Sequence, residues 1–125
     1  MHNTVQPLTT IFVYGSLKRG FKLNPILQTQ NFVGEAQTEA CYRIFDLGEY
    51  PGIVDAENGL SIHGEIYQID QQCLRQLDEV EGVSEGIYER RQILLKSPWE
   101  QSAAQAWFYL GTTIGLPDCG VRWPR

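Results

Sequence analysis

Five short runs rich in β-branched and aromatic residues dominate the chain, at residues 10–14, 41–46, 60–69, 87–95 and 103–110. They do not alternate one-for-one with helices. Only two stretches read as helical, a short one at 23–30 and a well-marked one at 71–81, and "PGIV" at 51–54 adds a short strand after a turn. This pattern predicts an α+β fold: a small mixed, largely antiparallel sheet, curved or rolled into a barrel, with flanking helices. The 125 residues contain no repeat, low-complexity tract or linker, and 42% of them are hydrophobic, enough for a core without staples. One domain over 1–125 is expected, with its core at about 10–112.

Charge and cysteine usage exclude several function classes. A net charge of −5 argues against nucleic acid, whose readers carry a basic face, and the pair Lys18–Arg19 is too short to reverse it. Cys41, Cys73 and Cys119 are odd in number and form no C-x-x-C, so they read as reduced thiols and predict a cytoplasmic protein. The start "MHNTVQPLTT" has no basic, apolar leader pattern, and no apolar run approaches a membrane span.

The second helical stretch carries the first chemical signal. Asp70 is a predicted N-cap, Ile69 and Leu74 form a hydrophobic staple across it, and Gly82 stands where a C′ glycine ends a helix. With about 100° per residue and Leu74 at zero, Cys73, Leu77 and Val80 form an apolar stripe centred near about −70°. Glu81 falls inside that stripe at about −20°, Asp78 at its margin and Glu79 on the opposite side. An inward carboxylate needs a reason. It forms a buried ion pair with Arg43, Arg90 or Arg91, or it serves as a general acid/base. For the second role desolvation, the neighbouring acids Asp78, Glu79 and Glu85, and the helix dipole would all raise its pKa.

The first strand supplies the other signal. "TIFVYGSLKRG" (10–20) breaks from a strand run into Gly15, Ser16 and Leu17, and small residues there expose backbone N–H groups to a bound anion or oxyanion. "GSLKRG" has neither P-loop nor dinucleotide spacing, and Ser16 has neither the G-x-S-x-G setting nor a nearby histidine of a serine nucleophile. His2 and His63 lack further ligands at metal spacing, so no metal is expected. Tyr88 and Tyr109, in predicted strands, read first as packing residues.

The strand ending in Tyr14-Gly15-Ser16-Leu17, followed some sixty residues later by "LDEVEGV" and "IYERR", resembles the gamma-glutamylcyclotransferase-like superfamily, in particular its AIG2-like and gamma-glutamylamine cyclotransferase branch. With "AWFYL" the likeness spans about residues 10–110. The resemblance implies a cofactor-independent enzyme that closes a gamma-glutamyl group into 5-oxoproline and releases an amine. It implies a substrate loop at Tyr14, Gly15, Ser16 and Leu17, a catalytic Glu81, and substrate-side tyrosines at Tyr88 and, less specifically, Tyr109. The implied partner is a small gamma-glutamyl compound, with no nucleic acid or membrane, acted on by a monomer or homodimer. The competing reading is a non-catalytic module that binds a small metabolite or a partner in the same cavity.

Overall fold

The computed structural model describes residues 7–124. Seven strands form one sheet: β1 (Thr9–Val13), β2 (Asn31–Gln37), β3 (Tyr42–Asp46), β4 (Pro51–Asp55), β5 (His63–Ile69), β6 (Tyr88–Gln92) and β7 (Gln105–Tyr109). Their order is β2-β5-β1-β7-β4-β3, with β6 also paired to β7. Because the path ends in β2 on one side and β3 on the other, the sheet curves without closing into a barrel. Most pairs are antiparallel, but β1 and β4 both run parallel to β7, meeting it at Gln105 and Phe108 respectively. β6 lies along β7 residue for residue, from Tyr88 opposite Tyr109 to Gln92 opposite Gln105.

The two-residue alternation of β1 divides the core. Phe12 and Tyr14 face one cluster with Ile44, Ile53, Ile66 and Phe108, whereas Ile11 and Val13 face the other with Leu74, Leu77 and Trp107. The single α-helix among the described residues, α1 (Gln71–Val80), covers the second cluster with Cys73, Leu74 and Leu77. Complete burial of a leucine such as Leu77 stabilises the fold by about 1.5–3 kcal/mol.

Both helix ends follow the sequence. The Asp70 carboxylate accepts the Cys73 N–H at 2.8 Å, and Gly82 adopts φ 70°, the left-handed conformation a C′ residue needs. A methyl at Gly82 would also meet the Ile87 side chain at 2.9 Å. Val80 departs from expectation: it lies in the last turn of α1 and is 45% exposed.

Three other expectations are adjusted. Residues 23–30 form only a 3₁₀ turn at Asn24–Leu27, opened by Pro25. β6 stops at Gln92, although Ile93 and Leu95 beyond it remain buried. β2 has no strand signal in the sequence: it is an edge strand, mostly exposed and broken in register between Phe32 and Gly34.

Candidate active site

β1 and β4 share β7 at its two ends, which leaves a fork between them, and Tyr14 fills it. The Tyr14 hydroxyl donates to the Trp107 carbonyl at 2.7 Å and accepts the Ile53 N–H at 3.1 Å, joining β7 to β4 where β1 peels away. Burial, reinforced by Tyr88 and Glu81, holds its pKa well above that of an ordinary tyrosine, so the hydroxyl keeps its proton. Tyr14 thus anchors the loop that follows it.

In Gly15–Leu17 every carbonyl is used and, among the described residues, every amide is free. Gly15 O accepts Lys18 N–H, Ser16 O accepts Leu23 N–H, and Leu17 O accepts the Asn24 side chain at 2.8 Å. The N–H groups of Gly15, Ser16 and Leu17 donate to no acceptor among the described residues. Glycine is required at 15 because a Cβ there would lie 2.6 Å from the Pro51 ring.

Glu81 faces these amides. Together with Tyr14–Leu17, Tyr50 and Trp107 it lines a cavity of about 30 Å³, large enough to admit water. Its carboxylate makes no hydrogen bond or ion pair among the described residues. The arginines that could cancel it are engaged elsewhere: Arg43 pairs with Asp118, Arg90 with Asp78, and Arg91 with Asp55 and Glu89. Burial therefore pushes the Glu81 carboxyl up from 4.5 to about 7. Desolvation is the cause of that shift, without a contribution from the neighbouring acids. Asp78 is neutralised by Arg90, while Glu79 and Glu85 are exposed.

The structure brings Glu81 and the 14–17 loop together. Tyr88 lies behind the wall, its buried hydroxyl donating to the Pro51 carbonyl at 2.8 Å and its ring 5.6 Å from that of Tyr109. Burial and the nearby Glu81 raise the Tyr88 pKa. Tyr109 packs on Gly52, outside the cavity lining. His63 bonds to Arg122 at 3.1 Å on another face, and His2 lies outside the described residues.

Tyr50 and Pro51 form a cavity wall that the sequence reading did not include. Tyr50 stands in the β3–β4 turn, 48% exposed, and a large exposed aromatic beside Pro51 is the signal that could have flagged it. A larger groove of about 690 Å³ opens elsewhere, but it contains neither the unpaired acid nor the free amides. Chemistry is better located by a perturbed acid with convergent donors than by volume.

A family model described as "Gamma-glutamyl cyclotransferase, AIG2-like" matches residues 11–120. A Vibrio cholerae protein named for the same activity is 36% identical over 80% of this chain and 79% of its own length. The solution structure of YtfP from Escherichia coli aligns with TM-score 0.71 at 32% identity, covering 93% of this chain and 96% of that one. The crystal structure of an AIG2-like protein from Mus musculus aligns with TM-score 0.71 at 28% identity, covering 89% and 85%. With a model match over nearly its whole length, the chain belongs to the AIG2-like gamma-glutamyl cyclotransferase family.

Proposed function

We propose that this protein converts a gamma-glutamyl amine, or a related gamma-glutamyl compound, into 5-oxoproline and the free amine, with Glu81 as the general acid/base. The observation that carries this reading is the unpaired Glu81 carboxyl, held near pKa 7, facing three free amides across one cavity.

The substrate presents an α-ammonium, an α-carboxylate and a γ-amide. Glu81 takes a proton from the ammonium, and the freed amine attacks the γ-carbonyl carbon to form the ring C–N bond. The carbonyl oxygen becomes an oxyanion, which the Gly15–Leu17 amides receive in this reading; each such donor is worth about 3 kcal/mol. Glu81 returns its proton to the departing nitrogen as the old C–N bond breaks. The ring nitrogen then loses its second proton to the released amine, directly or through Glu81, so the products are a neutral lactam and an ammonium ion. Ring closure is intramolecular, and holding the substrate folded for attack contributes about 7–11 kcal/mol.

The deciding experiment is a panel of gamma-glutamyl amines assayed by mass spectrometry for 5-oxoproline. Release by the wild type and its loss in Glu81→Gln supports the reading. No release from any member, with 5-oxoproline still bound in calorimetry, supports the non-catalytic module.

A further inference from the structure

Beyond Leu17, from Lys18 onward, the ~690 Å³ groove gathers positive charge in a chain whose net charge is −5. Lys18, Lys96 and Arg122 all line it, beside His63. Lys18 is only 8% exposed, and its ammonium uses one donor on the Trp123 carbonyl at 2.6 Å, which leaves two. Arg122 reaches Nδ1 of His63 at 3.1 Å; since a guanidinium only donates, Nδ1 accepts and the proton of His63 sits on Nε2. Lys96 has no side-chain partner among the described residues.

Two acids share the groove. Glu65 is taken up by Arg19, through its backbone N–H at 2.9 Å and its Nε at 3.1 Å. Glu65 also acts on Lys18 and Glu35 on His63, which leaves two acids against three cations in the groove. Burial lowers the His63 pKa, with Arg122, Lys18 and Lys96 together outweighing Glu35 in the same direction, and burial followed by Arg122 lowers that of Lys18 against the opposing Glu65. Gathering cations around a buried lysine is costly without an anion between them. The walls are aromatic, formed by Phe21, Trp99 and Trp123, with the Phe21 and Trp123 rings 5.9 Å apart.

We infer that this groove is a second binding site, separate from the Glu81 cavity, for a small organic anion whose carboxylate or phosphate sits among Lys18, Lys96 and Arg122 and whose flat body lies against Trp99 and Trp123. The volume falls within the range of small-molecule sites, about 300–1,000 Å³. The site is independent of the proposed cyclisation, because the two cavities share no lining residue. The carboxylate and phosphate forms differ only in the head group, so paired probes distinguish them.

The test is an amide and indole NMR titration of the wild-type protein with benzoate and with phenyl phosphate, using benzyl alcohol as the uncharged ring and acetate as the ringless anion. The expected result is saturable shifts at Lys96, Arg122 and the indole N–H groups of Trp99 and Trp123 for at least one aromatic anion, weakened by salt. Benzyl alcohol and acetate should each bind about tenfold more weakly or worse. Lys96→Ala/Arg122→Ala, both at exposed positions, should weaken the anion by a similar factor, whereas Glu81→Gln should leave the titration unchanged. Benzyl alcohol binding as tightly as the anions, or shifts confined to Gly15–Leu17 and Glu81, would overturn the inference. Unchanged affinity in a folded double variant would do the same.

Discussion

Asp78 and Glu81 stand about one turn apart at the end of α1, yet their carboxyl groups are treated in opposite ways. Asp78 is held by Arg90 Nε and Nη2 at 2.9 and 3.1 Å and accepts the Trp107 indole N–H at 2.9 Å. Glu81, on the inner side of the same helix end, receives no protein donor among the described residues and faces a cavity. The first carboxylate ties α1 to β6 and β7 and so belongs to the fold. The second is half-buried with no protein partner among the described residues, which is costly to stability, and the proposed acid/base role would account for that cost.

This contrast is most exposed to refutation in turnover. Glu81→Gln keeps the side chain's size and removes the proton acceptor, so 5-oxoproline release should fall by about 10²–10⁴-fold. Asp78→Asn should retain turnover within a few-fold. If the two effects were exchanged, the division of labour would be wrong.

The next effect is on stability, and its sign follows from the raised pKa. The folded state holds the Glu81 proton more tightly than the unfolded chain, so this group's contribution is fully present below pH 4.5 and is lost as pH rises through about 7. The shift corresponds to about 3 kcal/mol. Glu81→Gln should therefore be more stable than wild type at pH 8 in urea melts, and the difference should vanish near pH 4. Turnover in the wild type should rise with pH through about 7, as the base loses its resting proton.

Asp78→Asn should lower stability by about 1.5–3 kcal/mol at neutral pH, since it strips charge from two hydrogen bonds to Arg90. Glu79→Gln sharpens the comparison from the other side. Its side chain is exposed between the two, and turnover and melting should both stay within error of wild type, about 0.5 kcal/mol.

How much of this is readable from the chain depends on distance along it. The caps at Asp70 and Gly82, the inward turn of Glu81 and the break of β1 into Gly15 are set by residues within one or two turns, and the sequence states them. Val80 lies equally close, but its exposure depends on what packs beyond the helix end, which no local pattern records. The Tyr14 hydroxyl bridging Ile53 and Trp107 depends on a fork in the sheet made by strands about forty and ninety residues away. The placement of Tyr88 behind Pro51 likewise follows from register across β6, β7 and β4. β2 escapes notice because an edge strand with exposed faces needs no hydrophobic alternation.

The central claim is that Glu81 is an unpaired carboxyl whose ionisation is tuned to neutral pH by burial. Following its side-chain carboxyl carbon by NMR between pH 3 and 9 tests this directly. A midpoint near 7 is the predicted result, and a midpoint near 4.5, where an unburied glutamate titrates, would contradict it.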